Sequence, residues 1–305
     1  MSGPRWWNEL CAGYLRWLTR RGRRRNTLTA YRFELQAFAR WLELDAIASA
    51  EQLTGRHIED FQDWRAGQVI SSTQKVAASA LRGLLRWAAS QEPPLVTPSL
   101  WFRVTTPRRP RLLPRPIPRA DLEKILVALA PSPPPRDLMR LRTRAMFLLI
   151  LSSGARISEA LSLDRGQLQG RTGKVIQKGG DEKLLVISAA AESAIADYLE
   201  ARADSCVALF VGHAVQQLVP KRLNKKSSQV DFDHLCEDLG IARFTAHQVR
   251  HSCATMLLRQ GVDSLVIAKH LGQRGLASID GYAEVGLDAR HEMLEQLDVW
   301  IRKAS

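Results

Sequence analysis

The chain has 305 residues, enough for two domains of ordinary size, each with its own core. At 45% hydrophobic residues it is a globular sequence, and its best uncharged apolar run, residues 145–151, is far too short to span a membrane as a helix. The net charge, 44 − 31 = +13 and carried mainly by arginine, points to an anionic polymer or surface and argues against cationic partners.

The amino terminus does not read as a signal peptide, because Trp6 and Trp7 are soon followed by Glu9 and no apolar core precedes a small-residue cleavage site. Cys11, Cys206, Cys236 and Cys253 lie far apart with no paired spacing, which suits free thiols in a reducing cytoplasm and gives no structural zinc. Apolar residues recur at helical spacing over 7–18, and a basic turn at 20–25 follows, holding Arg23, Arg24 and Arg25. Thr27 is placed to cap a second helix with Tyr31, Leu35, Phe38 and Leu42 on one face. Thr54 opens a third (Ile58, Phe61, Trp64), and Ser71 or Ser72 a fourth (Val76, Ala80, Leu84, Trp87). Tryptophans in such a bundle are core residues before they are base-stacking ones.

Residues 93–118 are rich in proline and arginine and hold no acid. Proline resists helix and strand, so the stretch predicts a stiff, extended connector, with Arg108, Arg109 and Arg111 able to lie along a phosphate backbone. Beyond it the periodicity predicts helices over 119–129, 138–151 and 157–161, the second stopped by Gly154. Alternation over 174–187 around Gly179-Gly180-Asp181 predicts a hairpin. Helices are then expected over 190–203, 231–239, 246–260, 264–271 and 287–302. The fold class is mostly α with a small β-hairpin or sheet.

Three local patterns carry chemistry. In Ser153-Gly154-Ala155-Arg156-Ile157-Ser158-Glu159, an arginine follows a glycine turn at a helix start, where amide donors already favour an anion, and Glu159 is placed to hold its guanidinium. Alone, this pair reads sooner as a surface ion pair than as a site. In His247-Gln248-Val249-Arg250-His251, the spacing puts His247 and Arg250 on one helical face, a proton-exchanging donor beside a permanent cation. His251 points elsewhere and reads as a packing residue. The third pattern is Leu271-Gly272-Gln273 followed by Tyr282.

In this order and spacing the patterns resemble the tyrosine recombinase or phage integrase family, including Xer-type recombinases, across nearly the whole chain. The resemblance implies a helical SAM-like core-binding domain at 1–97, the basic linker at 98–116, and a mixed α/β catalytic domain at 117–305 with a C-terminal helix. It implies catalytic roles for Arg156, Lys178, His247, Arg250, Gln273 and Tyr282, with Glu159 in support and Tyr282 as nucleophile. Lys178 matches the lysine that protonates the leaving 5′-oxygen; Lys174 and Lys183 are the alternatives, since a hairpin aligns in more than one way. Gln273 stands where the family usually has histidine or tryptophan, and an amide donates a hydrogen bond but exchanges no proton near neutrality. His270, three residues earlier, is a candidate substitute.

The family's reaction suits these residue types. Guanidinium groups offset the charge that builds on a phosphodiester under attack, a lysine eases departure of the alkoxide, and a phosphotyrosyl ester keeps the broken bond's energy. The sequence has no Walker-type loop and no carboxylate cluster for magnesium, so no cofactor or metal is expected. The resemblance implies as partners double-stranded DNA with inverted half-sites and three further copies of the chain, joined through the C-terminal helix, with room for an accessory or partner recombinase. The biological setting, a mobile element or a chromosome, is left open. A tyrosine-type topoisomerase, a metal-dependent nuclease and a DNA-binding accessory protein weakened by Gln273 are the competing readings.

Overall fold

A computed structural model of the chain describes residues 3–108, 115–130, 137–177, 180–213 and 220–273. Lys178, Arg109, Arg111, Tyr282 and the helix expected over 287–302 lie outside the described residues. Two compact units are found, Met1–Arg111 and Leu112–Ser305. Among the described residues no helix is long and apolar enough to cross a membrane.

The first unit is helical: α1 (Arg5–Arg20), α2 (Arg25–Leu44), α3 (Gly55–Ala66) and α4 (Ser71–Ala89). Their apolar stripes meet in one core around Trp7, Phe38, Leu42, Ile58, Phe61 and Leu84. Trp7 is fully buried and its indole N–H donates to the Leu35 carbonyl at 3.0 Å, so it serves the core. A buried bidentate pair, Arg65 with Glu34, ties α3 to α2.

Caps separate the helix starts that the sequence announces from those it does not. Thr54 caps α3 as expected, its hydroxyl accepting from the His57 amide. Thr27 does not cap α2, which begins two residues earlier at Arg25 with no side-chain cap, and α4 begins at Ser71 behind an uncapped Ile70. Nor is the proline-rich stretch extended throughout. A short 3-10 turn, Leu100–Arg103, intervenes, and Val96, Leu100 and Val104 are buried in the first core. Alternate apolar residues there are enough to fasten the chain between its prolines.

The second unit begins with α5 (Arg119–Ala128) and α6 (Leu138–Ser153). Helix α6 is buried on most of its faces, Arg142 paired with Asp231 and Arg144 with Asp197, and runs through the core with Ala145, Phe147, Leu149 and Ile150 fully buried. The four-residue α7 (Ile157–Ala160) follows directly. Strands β1 (Leu168–Gln169), β2 (Thr172–Ile176) and β3 (Glu182–Val186) form one antiparallel sheet in the order β1-β2-β3. The hairpin was expected; the two-residue β1 was not. Helices α8 (Ala189–Ala201), α9 (Lys225–Leu239), α10 (Ala246–Arg259) and α11 (Ser264–Leu271) complete the described part. Helix α9 starts six residues earlier than its apolar pattern suggests, because the Asn224 side chain accepts from the Ser227 amide and caps a polar first turn.

Candidate active site

Two glycines set the frame. Gly154 ends α6 and Gly272 ends α11, both in the left-handed region, at φ +57° and +65°. Both also sit where a Cβ would collide: at Gly154 with the Leu271 side chain, at Gly272 with Gln177 and, at 2.8 Å, with Lys183 Cδ. The ends of two helices and the hairpin therefore converge on one place, and only residues without a side chain allow it.

Just past Gly154 the chain turns into α7. Arg156 is its N-cap residue, and Glu159 satisfies it twice, accepting from the Arg156 amide at 2.9 Å and from its guanidinium at 2.6 Å. Glu159 is buried at 3% exposure, whereas the Arg156 side chain remains 36% exposed. The carboxylate is thus the fixed member and aims a guanidinium that keeps a face to solvent.

From α10 comes Arg250, 3% exposed, which donates to the Gly154 carbonyl and, at 2.9 Å, to the Leu271 carbonyl. Those carbonyls are the negative ends of α6 and α11, so one guanidinium binds both helix termini. His247, one turn earlier on α10, is exposed. Its pKa lies below the usual histidine value, first because part of the ring is still desolvated by its neighbours and then through the charges of Arg250 and Arg156, which leaves it neutral near pH 7. His251 stacks edge-on against it with centroids 4.2 Å apart and is pushed down to about 4, mainly by burial, with His247 and Arg250 adding to the shift.

The hairpin lysines part company. Residues on β2 and β3 alternate exposed and buried, and the register opposes Lys174 to Leu184 and Val175 to Lys183. Lys174 is consequently on the outer face, paired with Glu182 at 3.8 Å, and is not brought to the site. Lys183 points inward, 5% exposed, with Nζ donating to the Ser153 carbonyl at 3.5 Å. Burial foremost, then the charge of Arg250, pushes it down to about 8 against the pull of Glu159.

On α11, His270 Nε2 lies 2.8 Å from the Ser152 carbonyl, which engages the ring in holding α11 to α6. The Gln273 amide N–H donates to the Ala268 carbonyl at 2.9 Å, and its side-chain Oε1 is buried with no hydrogen-bond partner among the described residues. In the first unit Arg23, Arg24 and Arg25 are exposed around the turn between α1 and α2, and Arg108 is exposed near the unit's end.

Arg156, Glu159, Lys183, His247 and Arg250 thus gather within the second unit from segments far apart in the chain. The motifs flagged both arginines, His247 and Glu159. The framing role of Leu271 and the carbonyls of Ser153 and Gly154 went unseen, and the only signal for them was an apolar helix ending in glycine at two places.

Comparison with known proteins agrees with this architecture. Residues 117–286 match the phage integrase family, and residues 12–92 match the phage integrase N-terminal SAM-like domain. The tyrosine recombinase XerC of Rhodospirillum centenum is 31% identical over 289 residues, covering 90% of this chain and 82% of that protein. Among solved structures, the XerH site-specific recombinase bound to palindromic difH substrate in a post-cleavage complex aligns with a TM-score of 0.69 at 20% identity, over 89% of this chain and 80% of that one. A lambda integrase tetramer bound to a Holliday junction aligns with a TM-score of 0.67 at 18% identity, over 88% and 77%. The chain belongs to the phage integrase family and is a tyrosine recombinase of the Xer-like kind.

Proposed function

We propose that the chain binds double-stranded DNA at inverted half-sites and exchanges strands through a 3′-phosphotyrosyl intermediate on Tyr282. The observation that carries this is the convergence of Arg156 and Arg250 in one unit, the first aimed by a buried carboxylate and the second by two helix ends. Such preorganised donors stabilise the charge that grows on the non-bridging oxygens as phosphorus is attacked, and each is worth roughly 3–4 kcal/mol in comparable sites.

In this reading the phenolic oxygen of Tyr282 bonds to phosphorus and the bond from phosphorus to the 5′-oxygen breaks. His247, neutral near pH 7, is suited to take the phenolic proton. Lys178 delivers a proton to the departing 5′-oxygen. The reverse reaction, with a 5′-hydroxyl from another strand, restores a phosphodiester and frees the tyrosine. Gln273 adds an amide donor to a phosphate oxygen. Arg23, Arg24, Arg25, Arg108, Arg109 and Arg111 neutralise backbone phosphates away from the scissile one. The XerH complex with difH DNA and the lambda integrase tetramer on a Holliday junction support binding of DNA by a four-membered assembly, here joined through the C-terminal helix.

The test is incubation with a nicked duplex carrying the target. Wild-type protein is expected to give a protein–DNA adduct that survives denaturant, and Tyr282→Phe none. An adduct from the Phe variant, or none from wild type on any target to which it binds tightly, contradicts the proposal. The second outcome would favour an accessory DNA-binding role.

A further inference from the structure

Lys183 is a buried cation that the reaction scheme above does not use. Its surroundings are polar and hold two guanidiniums. Arg156 and Glu159 face it from α7 and its cap, Arg250 and Cys253 from α10, and His270 from α11, while α6 contributes the Ser153 carbonyl. Three cations therefore face one carboxylate and one thiol held protonated, since burial pushes Cys253 up to about 11. A lysine is not driven into such a place by packing, because an apolar residue of the same length would fill it at lower cost. Gly272 leaves room for the stem, since a Cβ there would lie 2.8 Å from Lys183 Cδ, and the ammonium is directed at the end of α6.

Resting on the recombinase reading, we propose that Lys183 is a positioning residue for strand cleavage, whose ammonium holds the Ser153 carbonyl at the end of α6 and adds a third positive charge behind Arg156 and Arg250. It acts through those groups and not as the acid for the 5′-oxygen: its nitrogen is buried and directed at a backbone carbonyl. An anion bound by the two guanidiniums supplies the negative charge that the cluster lacks. Lys183 is then held protonated in the DNA complex at pH values where it is partly neutral in the free protein, given its ordinary value of 10.5 and its displacement to about 8.

The experiment uses the full chain, the nicked duplex and two variants, Lys183→Arg and Lys183→Met. With duplex well below saturation, so that free protein dominates, wild type is expected to form adduct more slowly as pH rises past 8, where the free protein loses the charge, and the decline should move to higher pH when duplex is saturating. Lys183→Arg should retain activity and lose that decline, because guanidinium stays charged. Lys183→Met should be slower on the order of tenfold to a hundredfold, with no inflection there, yet melt no lower than wild type. A substrate with sulfur in place of the bridging 5′-oxygen needs no proton to leave, so it should not rescue Lys183→Met. Rescue by sulfur would make Lys183 the acid and overturn the proposal. A Met variant equal to wild type in rate and pH profile would overturn it too, as would one that melts lower, which marks a purely structural lysine. If wild type itself gives no adduct, the recombinase reading has failed, a different result from an unaffected Met variant.

Discussion

Glu159 gives one carboxylate oxygen to its own helix and the other to Arg156, and is buried while its partner is not. Removing it releases a guanidinium and uncaps α7 together. Glu159→Ala is expected to lower the adduct-forming rate on the order of tenfold to a thousandfold, with little change in duplex affinity, as measured by gel shift and denaturing gel. Equal loss of both would mean that α7 itself had come apart. Lys183 behaves in the opposite sense. Its value is lower in the folded chain, about 8, than its ordinary 10.5, so the unfolded chain binds more protons between those limits and stability from this residue rises with pH there. Below 8 the buried charge is fully costly, and Lys183→Met should exceed wild type in stability by about 1–4 kcal/mol, the difference fading towards 10.5.

At the level of elements, the site depends on how α6, α10 and α11 end or cross. Gly154→Ala forces a side chain into a left-handed residue and against Leu271. We expect a loss of about 1–3 kcal/mol in thermal or denaturant unfolding, with a larger fall in cleavage, because Arg156 and the carbonyl bound by Arg250 both follow this turn. A stable variant with full activity would show that the turn does not set the site. The same elements explain what could be read beforehand. Gly154 and Gly272 each follow an apolar run, and Thr54 precedes the spaced apolar residues Ile58, Phe61 and Trp64, so those boundaries were legible. Thr27 offered the same chemistry and lies inside α2, because Arg25 and Asn26 continue the helix backwards without a cap. Leu100 and Val104 were hidden by the prolines around them, although burial holds them in the core. The hairpin was visible, but its register was not, and register alone decides that Lys183 faces in and Lys174 out.

For the whole molecule, charge and family dominate. A surplus of 13 positive charges favours a polyanion, with affinity falling as salt rises. The sequence expects an amphipathic helix at its carboxyl end, with Leu287, Met293, Leu294, Leu297, Trp300 and Ile301 as its apolar residues. If that helix docks on a neighbouring copy, removing the residues after Val285 leaves half-site binding largely intact and impairs cooperative assembly on paired duplexes, read by gel shift and by recombination of a two-site plasmid. Full recombination by the shortened chain would count against the tetramer.

The central claim is that a phenol and two guanidiniums from distant parts of the chain meet at one phosphate. Its most direct test is to trap the adduct on a nicked duplex, digest it and identify the modified peptide by mass spectrometry, alongside Arg156→Ala and Arg250→Ala. The account predicts a 3′-phosphate on Tyr282, and adduct yields reduced on the order of a hundredfold or more in both arginine variants that still bind the duplex. A nucleotide on any other residue, or undiminished adduct without the arginines, would contradict it.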